Sequence, residues 1–395
     1  MSEGERATGP LAGVRVVDLS SVLMGPAATR TLGDLGADVI FVESATGDRN
    51  RSMGAGPTAE FSGVALNLLR NKRSIAMDLK HPRGRQAFLD IAATCDVMIT
   101  NLRPGPLGRL GLNYEAVREV RDDIVFCRAH GYPSSSDQAD APAYDDIIQS
   151  ASGIGDLFRR MGAEPMLLPS LVADKFCGLT IANSVTAALY HRALTGQGQC
   201  IEIPMIDVMR AFVLAEHGAG AISEPPVASA GYARILTPER KPQRTADGWI
   251  NILPYDHEHY VALFEAGGRH DLAADERFAT PIERVTHSDS LYRDVASVLD
   301  QRTTAEWLEL CSEHGIPATE AATLDELVSQ LPVEEHPVAG PYRSIPPPEQ
   351  FSETPPSVRR PAPRIGEHGR EILAEVGYDG ETIDSLIDSG ILSTP

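Results

Sequence analysis

An aspartate at the start of a long apolar segment is the residue best suited to covalent chemistry. Asp174 opens a segment with helical spacing, residues 174–194, after Ser-Leu-Val-Ala. An aspartate at this place commonly caps its own helix and bonds to backbone N–H groups. If its carboxylate instead faces a cleft, the helix N-terminus keeps it ionised and supplies N–H donors to a developing oxyanion. The local pattern favours the cap and leaves the catalytic interpretation open.

Positive charge is concentrated in one part of an acidic chain. The 395 residues carry a net charge of -20, yet residues 70–109 hold eight arginines and lysines against three aspartates. Lys80 and Arg103 each follow a predicted strand, and ligands of open α/β sheets bind at such strand ends. A phosphate-bearing small molecule would suit these charges. The acidic remainder repels nucleic acid and anionic membranes, so we expect neither as a partner.

Other kinds of site have weaker support. The turn after the first strand, residues 20–26, holds one glycine and a proline, so it lacks the glycines of a dinucleotide-binding fingerprint. His257 and His259 could bind a metal on a strand, but Asp256 before them is typical of a helix N-cap, and we expect no metal site. The chain has no Gly-x-Ser-x-Gly elbow and no Walker loop.

Cysteine usage and hydropathy indicate a cytoplasmic protein. The five cysteines are scattered and form no Cys-x-x-Cys pair, so we expect reduced, mostly buried thiols. No apolar run approaches the roughly 20 residues of a membrane span. Residues 1–10 lack the pattern of a secretion signal and are predicted to be a disordered tail.

Strand and helix patterns alternate through the first third of the chain. Strand-like segments at 14–19, 37–43, 74–79, 96–101 and 124–129 are separated by helical ones at 27–35, 84–94 and 114–121. This alternation predicts an α/β fold with right-handed crossovers and a parallel sheet.

The pattern of the sequence changes near residue 225, and residues 225–331 are predicted to form a smaller domain. Residues 332–363 hold ten prolines, which predicts a semi-extended connector, and helical patterning returns from 364.

Several short motifs occur in an order that resembles one enzyme family. They are Leu-Ala-Gly-Val-Arg-Val-Val-Asp-Leu at 11–19, Gly-Asp-Leu-Gly-Ala-Asp-Val at 33–39, Asn-Lys-Arg-Ser-Ile at 71–75, Asn-Leu-Arg-Pro-Gly at 101–105, Gly-Gln-Gly-Gln at 196–199 and Pro-Arg-Ile-Gly-Glu-His at 363–368. Each motif alone is weak, but their order and spacing together are specific. The sequence resembles the class III CoA-transferases, which include formyl-CoA transferase, the carnitine CoA-transferase and α-methylacyl-CoA racemase.

The resemblance implies a fold and a quaternary structure. A large Rossmann-like domain would be built from both ends of the chain, residues 11–224 and 364–395, with the small α+β domain inserted between them. The resemblance also implies an interlocked homodimer, in which each chain threads through a ring made by the other.

The resemblance also implies roles for individual residues. The family's catalytic aspartate corresponds to Asp174, and Tyr144 corresponds to a position beside the thioester, with Asp145 next to it. The positions that hold the CoA nucleotide and its phosphates correspond to Lys80, Asn101, Leu102, Arg103 and Arg109. The implied reaction moves CoA from an acyl-CoA donor to a free carboxylic acid through an acyl-aspartyl anhydride and an aspartyl-CoA thioester. It requires no metal and no cofactor beyond CoA itself.

Departures from the family pattern bear on the choice of reaction. The racemase branch has a histidine at the position of Tyr144, and a tyrosine with a pKa of about 10 is a poor proton acceptor at neutral pH. Leu23 and Ser44 replace a glutamine and an arginine of formyl-CoA transferase, and residues 218–255 hold no glycine-rich loop. We therefore favour a CoA-transferase for a bulkier or more apolar acyl group. An acyl-CoA racemase or epimerase and a non-catalytic acyl-CoA-binding protein are the alternatives.

Overall fold

The structure of the protein is a computed structural model that describes residues 8–395. Its chain divides into two compact units. The first unit takes the described residues as far as Ser152, then Leu168–Ala211 and Leu331–Pro395, and the second takes Gly153–Leu167 and Phe212–Gln330. The predicted small domain, 225–331, overlaps the second unit, which also includes fifteen residues from before the long helix. Residues 1–7 of the predicted tail lie outside the described residues, whereas Gly9 is buried.

The strands, in chain order, are β1 (Arg15–Leu19), β2 (Asp38–Glu43), β3 (Lys72–Met77), β4 (Val97–Thr100), β5 (Val125–His130), β6 (Gln199–Pro204), β7 (Gln243–Arg244), β8 (Trp249–Ile252), β9 (Ala318–Glu320), β10 (Val333–His336), β11 (Gly340–Arg343) and β12 (Leu392–Ser393).

The helices are α1 (Met24–Asp34), α2 (Gly63–Leu68), α3 (Pro82–Ala93), α4 (Pro104–Leu110), α5 (Tyr114–Val120), α6 (Asp145–Ala151), α7 (Ile154–Arg160), α8 (Val172–Thr195), α9 (Met205–His217), α10 (His257–Ala266), α11 (His270–Ala273), α12 (Pro281–Thr286), α13 (Ser288–Leu299), α14 (Thr304–Glu313), α15 (Leu324–Ser329), α16 (Gly369–Glu375) and α17 (Gly380–Asp388). Short 3-10 helices lie at Arg49–Ser52, Ala219–Ile222 and Glu276–Phe278. None of these helices is both long and apolar enough to span a membrane.

A seven-stranded sheet organises the first unit, in the order β12-β3-β2-β1-β4-β5-β6. The strands β1 to β6 pair in parallel, and β12 pairs antiparallel with β3 at the edge. The central strands are buried on both faces, which explains their continuous runs of apolar residues. The parallel α/β sheet predicted from the alternating pattern is therefore confirmed.

The end of the chain contributes to the core of the first unit. Ile372 on α16 and Leu386 on α17 are buried in the same apolar cluster as Ile75 on β3 and Phe88 on α3. The segment before them was predicted to be a semi-extended connector, but it contains the antiparallel pair β10 and β11. Proline is tolerated in this pair because an edge strand needs only half of its backbone N–H groups.

The start of α1 differs from the prediction. Residues 25 and 26 were predicted to form a turn before a helix at 27–35, but Gly25 and Pro26 lie in the first turn of α1. Proline fits a first turn because its missing N–H would have no partner there. A Cβ on Gly25 would lie 2.2 Å from Oγ of Ser20, so only glycine allows α1 to begin this close to the end of β1.

The second unit has its own core. The strands β7, β8 and β9 form a small antiparallel sheet, against which α10, α13 and α14 pack. Trp307 is fully buried, and its indole N–H donates to the carbonyl of Leu299 at 2.8 Å. The predicted N-cap at Asp256 is confirmed, because its carboxylate accepts from the N–H of His259 at 3.0 Å.

All five cysteines are free, and four of them are buried. Burial raises the pKa of Cys177, which lies one turn after Asp174, to about 12, and the negative charges of Asp174 and Asp145 add to this effect. These thiols therefore remain protonated and unreactive at neutral pH.

Candidate active site

The candidate site lies in the first unit, at the carboxyl ends of β1, β4 and β5. Strand order reverses between β1 and β4, and in open α/β sheets this is where a crevice forms. A cavity of about 410 Å³ occupies it. Ser21, two residues after β1, lies in its wall together with Asn101, directly after β4, and Gly131, directly after β5, and Asp174 lies in the same wall.

Asn101 joins two of these loops. Its side-chain amide donates to the carbonyl of Ser21 at 2.8 Å and accepts from the N–H of Ser21 at 3.0 Å. The N–H of Leu102 donates to Oγ1 of Thr100 at 3.2 Å. Asn101 and Leu102 both line the cavity, so these hydrogen bonds set the shape of its floor.

The start of α1 presents backbone donors beside the cavity. Val22 has a φ of 71°, an unusual conformation for a β-branched residue, and its N–H donates to Oδ1 of Asp48 at 3.1 Å. The N-cap residue Leu23 provides no side-chain hydrogen bond to the helix, and among residues 8–395 no side chain accepts from the first N–H groups of α1. Met24, the first residue of this helix, lines the cavity.

Asp174 lies at the third position of α8 and does not cap it. The N-cap residue is Leu171, so the prediction that Asp174 caps its own helix is wrong. Asp174 is 9% exposed, and among residues 8–395 no group donates a hydrogen bond to its carboxylate. Burial raises its pKa to about 7, and the negative charges of Asp145 and Asp146 contribute to the shift.

A close helix contact places Asp174 near the start of α1. Gly178 lies one turn further along α8, and a Cβ at this position would be only 2.9 Å from the carbonyl oxygen of Met24. Helices approach this closely only where a glycine intervenes. The second turn of α8 therefore lies against the first turn of α1, one helical turn away from Asp174.

Asp145 lies behind Asp174 rather than in the cavity wall. Its Oδ1 accepts from the N–H of Asp174 at 3.0 Å, and its Oδ2 accepts from the amide of Gln149 at 2.5 Å. The same amide donates to the carbonyl of Ser170 at 3.0 Å, and Gln149 Oε1 accepts from the N–H of Leu168 at 2.9 Å. These buried hydrogen bonds hold the segment that leads into α8.

Tyr144 lies at the mouth of the cavity with 55% of its surface exposed. Nη1 of Arg49 donates to its hydroxyl at 3.3 Å. Arg49 lines the cavity too, although sequence reasoning did not select it. It begins the short 3-10 helix Arg49–Ser52 between β2 and α2, and a helix of four residues is too short to leave a periodic pattern in the sequence.

His130 is a second lining residue that sequence reasoning missed. It ends β5 and is 3% exposed, and its Nε2 lies 3.4 Å from both Glu202 Oε1 and Ser134 Oγ. Burial lowers its pKa, although the charge of Glu202 opposes the shift. A histidine that follows an apolar strand was the available signal, because strand ends converge on the crevice.

A second cavity of about 750 Å³ adjoins the first and shares Ser21, Arg49 and Leu102 with it. Lys80 lines the second cavity, and Arg103 lines the first, where its guanidinium donates to the carbonyl of Asp140. Arg109 lies in the last turn of α4 and lines neither cavity.

Three positive charges of the basic stretch do not face a ligand. Arg70, Lys72 and Arg73 are buried and paired with carboxylates: Arg70 with Asp34 at 2.7 Å, Lys72 with Asp18 at 3.2 Å and Arg73 with Asp38 at 2.6 Å. These three residues therefore do not add to the positive charge that the stretch was expected to offer a phosphate-bearing ligand. A count of charges along the chain cannot distinguish buried ion pairs from surface cations.

Comparisons with known proteins identify the family of the chain. The model of CoA-transferase family III matches residues 11–369. Succinyl-CoA:glutarate CoA-transferase of Mus musculus is 30% identical over 97% of this chain and 90% of its own length. Succinate–glutarate CoA-transferase of Agrobacterium fabrum is 30% identical over 95% of this chain and 96% of its own length. The crystal structure of a CAIB/BAIF family protein from Brucella suis superposes with a TM-score of 0.80 at 29% identity, and covers 93% of this chain and 100% of its own. The chain belongs to CoA-transferase family III, as its motifs indicated.

Proposed function

We propose that the protein moves CoA from an acyl-CoA donor to a free carboxylic acid, with Asp174 as the covalent nucleophile. The observation that carries the proposal is the Asp174 carboxylate itself. It is buried in the wall of a cavity, and no described residue donates a hydrogen bond to it. A carboxylate that is held without partners retains the lone pairs that a nucleophile needs.

The reaction begins with attack of the ionised carboxylate on the thioester carbonyl carbon. The carbon–sulfur bond breaks, CoA leaves as a thiolate, and Asp174 holds the acyl group as a mixed anhydride. The thiolate then attacks the aspartyl carbonyl carbon, the donor acid leaves as a carboxylate, and Asp174 holds CoA as a thioester. An acceptor carboxylate reverses both steps and departs as the new acyl-CoA.

Each step forms a tetrahedral intermediate whose oxygen carries negative charge. The uncapped start of α1 offers backbone N–H groups beside Asp174, and a helix N-terminus favours negative charge. Such donors are worth roughly 3–4 kcal/mol each when they are aimed at an oxyanion. Burial of the site also protects the anhydride from water.

CoA is proposed to lie across the two adjoining cavities. The thioester would lie in the smaller cavity near Asp174 and Tyr144, above the floor formed by Asn101 and Leu102. Lys80 and Arg103 provide positive charge for the phosphates of the nucleotide. Arg109, outside both cavities, would contact only a phosphate at the periphery.

The relatives suggest where to begin with substrates. Two of them are named for succinate or succinyl-CoA together with glutarate. We propose a short-chain acyl-CoA as donor, with succinyl-CoA and glutarate as the first pair to test against a panel of free acids. Apolar residues Leu23, Met24 and Met205 in the cavity wall are compatible with an aliphatic acyl chain.

Chemical trapping tests the covalent step directly. The protein is incubated with succinyl-CoA and hydroxylamine, and the modified residue is mapped by mass spectrometry. We expect a hydroxamate at Asp174 and loss of transfer in Asp174→Asn. Asp137→Asn, an exposed aspartate outside both cavities, serves as the matched control and should retain transfer. Transfer that persists in Asp174→Asn, or a panel of donors that never modifies Asp174, would contradict the mechanism.

His130 supports a second candidate, an acyl-CoA racemase or epimerase. The uncharged imidazole and Asp174, with its pKa of about 7, line the same cavity and could exchange a proton at the α-carbon. Incubation with a chiral 2-methylacyl-CoA in heavy water distinguishes the two reactions. Deuterium at the α-carbon without exchange of CoA would favour the racemase, and exchange of CoA without deuterium would favour the transferase.

A further inference from the structure

A separate cavity lies entirely within the second unit. It has a volume of about 330 Å³, and none of its lining residues belongs to the cleft around Asp174. Tyrosines and arginines are concentrated in its wall: Tyr232, Tyr255, Tyr260, Tyr292, Arg234 and Arg284.

The cavity is built on packed elements. Tyr260 in the first turn of α10 is 6% exposed, and its ring stacks on Phe278 at 5.4 Å between centroids. Tyr292 lies on α13 and Arg284 in the last turn of α12. Since α10 and α13 bury their other faces in the core of the second unit, this wall is held in place.

The two arginines lack acidic partners. Among residues 8–395, no carboxylate oxygen lies within the 4.0 Å of an ion pair from Arg234 or Arg284. Nη1 of Arg284 donates to the carbonyl of Phe278 at 2.7 Å, and the guanidinium of Arg234 lies 5.6 Å from the ring centre of Tyr255. In the same unit Arg269, Arg277 and Arg293 are each paired with an aspartate.

The remaining charges around the cavity do not neutralise these arginines. Asp256 lines the cavity, but its carboxylate accepts from the N–H of His259 at the start of α10. Hydroxyl groups of Tyr232 and Tyr292 interact with Arg234, and this interaction outweighs burial and raises its pKa. Two guanidinium groups and one carboxylate therefore line the cavity, which leaves an excess of one positive charge in its wall.

We propose that this cavity binds a small carboxylate with an aromatic or otherwise flat body. Guanidinium groups recognise a carboxylate through paired hydrogen bonds, and tyrosine rings provide flat apolar contact for the rest of the molecule. The volume is at the lower end of the range for ligand cavities, so it suits a ligand of single-ring size. The site involves neither Asp174 nor CoA, so it is independent of the proposed function.

Hydrogen exchange measured by mass spectrometry tests the site, because it locates the bound ligand. Benzoate is the probe, benzamide is its uncharged analogue, and inorganic phosphate tests for charge alone. The protein and its Asp174→Asn variant are both used, so that failure of the transferase proposal does not affect the result. We expect saturable protection of residues 281–292 by benzoate in both proteins, and none by benzamide or phosphate.

Substitutions separate charge from shape. Arg234→Gln and Arg284→Gln should each weaken binding of benzoate roughly tenfold or more, as expected for loss of a charged hydrogen-bond donor. Arg293→Gln, an exposed arginine on α13 that binds Asp289, is the matched control and should bind normally. Tyr255→Phe should retain binding, and Tyr255→Leu should weaken it, because the ring rather than the hydroxyl provides the contact.

Three results would overturn the proposal. Protection of 281–292 that persists in the Arg234→Gln, Arg284→Gln double variant would show that the arginines do not bind the anion. Equal protection by phosphate would remove the requirement for a flat body. Protection that is confined to the cleft around Asp174, or no protection at all, would show that benzoate does not occupy this cavity.

Discussion

At the scale of single residues, the burial of Asp174 has opposing effects on its chemistry. Removal from water makes a carboxylate more reactive, but it also raises the pKa to about 7, so that only about half of the molecules are ionised at that pH. The negative charges of Asp145 and Asp146 favour the protonated form further.

The first prediction concerns the pH dependence of transfer. Since Asp174 must be ionised to attack, kcat/KM for the acyl-CoA donor should rise with pH and level off above about 7. Asp146→Asn removes one negative charge that raises this pKa, so the rise should move to lower pH. Initial rates between pH 5 and 9 measure both profiles. A profile that is flat through pH 7, or that does not move in Asp146→Asn, would contradict this assignment.

The second prediction concerns stability. The pKa of Asp174 rises from 3.8 in a solvated chain to about 7 in the folded protein, so ionisation opposes folding as pH increases between these values. Asp174→Asn should therefore be more stable than the native protein at pH 8, by up to about 4 kcal/mol. Urea denaturation at pH 8 and pH 4 measures the effect, and the difference should shrink at pH 4. An Asp174→Asn variant that is less stable than the native protein at pH 8 would contradict this prediction.

The sequence allowed prediction of some of these residues but not of their surroundings. Asp174, Tyr144, Asn101, Leu102 and Arg103 were predicted from the sequence, and all five line one cavity. Arg49 was missed because its 3-10 helix, Arg49–Ser52, is too short to leave a periodic pattern in the sequence. The pairing of buried cations with distant aspartates could not be predicted either, since those partners lie 35 to 54 residues away in the chain.

At the scale of elements, the contact between α1 and α8 determines the site. It depends on Gly178, which leaves room for the carbonyl of Met24. Periodicity predicted both helices. The predicted start of α1 lies three residues after the observed start, and that of α8 lies two residues after it. It could not predict their approach, because apolar spacing specifies which face of a helix is buried and not which neighbour it meets.

The third prediction tests this contact. Gly178→Ala places a Cβ 2.9 Å from a backbone oxygen, so the helices must separate. We expect a loss of about 1–3 kcal/mol in the free energy of unfolding and a lower kcat. Gly108→Ala is the matched control, since nothing lies within 4 Å of its added Cβ on α4, and it should be neutral or slightly stabilising. Equal stability and activity in the two variants would contradict the role of the contact.

At the scale of the whole molecule, one face of α8 remains apolar and exposed. Leu179, Tyr190 and Leu194 are 57%, 68% and 69% exposed and lie on one side of this 24-residue helix. Exposed apolar residues that line up in this way are typical of a surface that a partner covers. They support the proposal of a homodimer, which the family resemblance implied.

The fourth prediction concerns this assembly. Light scattering during size-exclusion chromatography should give a mass of about 85 kDa, twice the 42.5 kDa of one chain. Tyr190→Glu with Leu194→Glu should reduce the yield of that species, because charge at a buried interface is costly. If the chains are interlocked, dilution should not release monomers before the protein unfolds. A native protein of 42.5 kDa would contradict the proposed dimer.

The distribution of charge over the whole molecule could be predicted from the sequence only in part. The net charge of -20 describes an acidic chain, and the count over residues 70–109 describes a local excess of positive charge. Position along the chain could not reveal that Arg70, Lys72 and Arg73 neutralise buried carboxylates. The charge available to a ligand in the cleft is therefore smaller than the local count, and it comes from Lys80, Arg103 and Arg49.

The antiparallel pairing of β12 with β3 has a consequence for biosynthesis. Leu392 pairs with Met77, so the β3 edge of the large sheet stays unpaired until the ribosome has added more than 300 further residues. In that interval the nascent chain exposes an open strand edge and the apolar surface that α16 and α17 later cover. Chaperone binding during translation, and aggregation of chains that terminate before residue 369, are the expected signs of this delay.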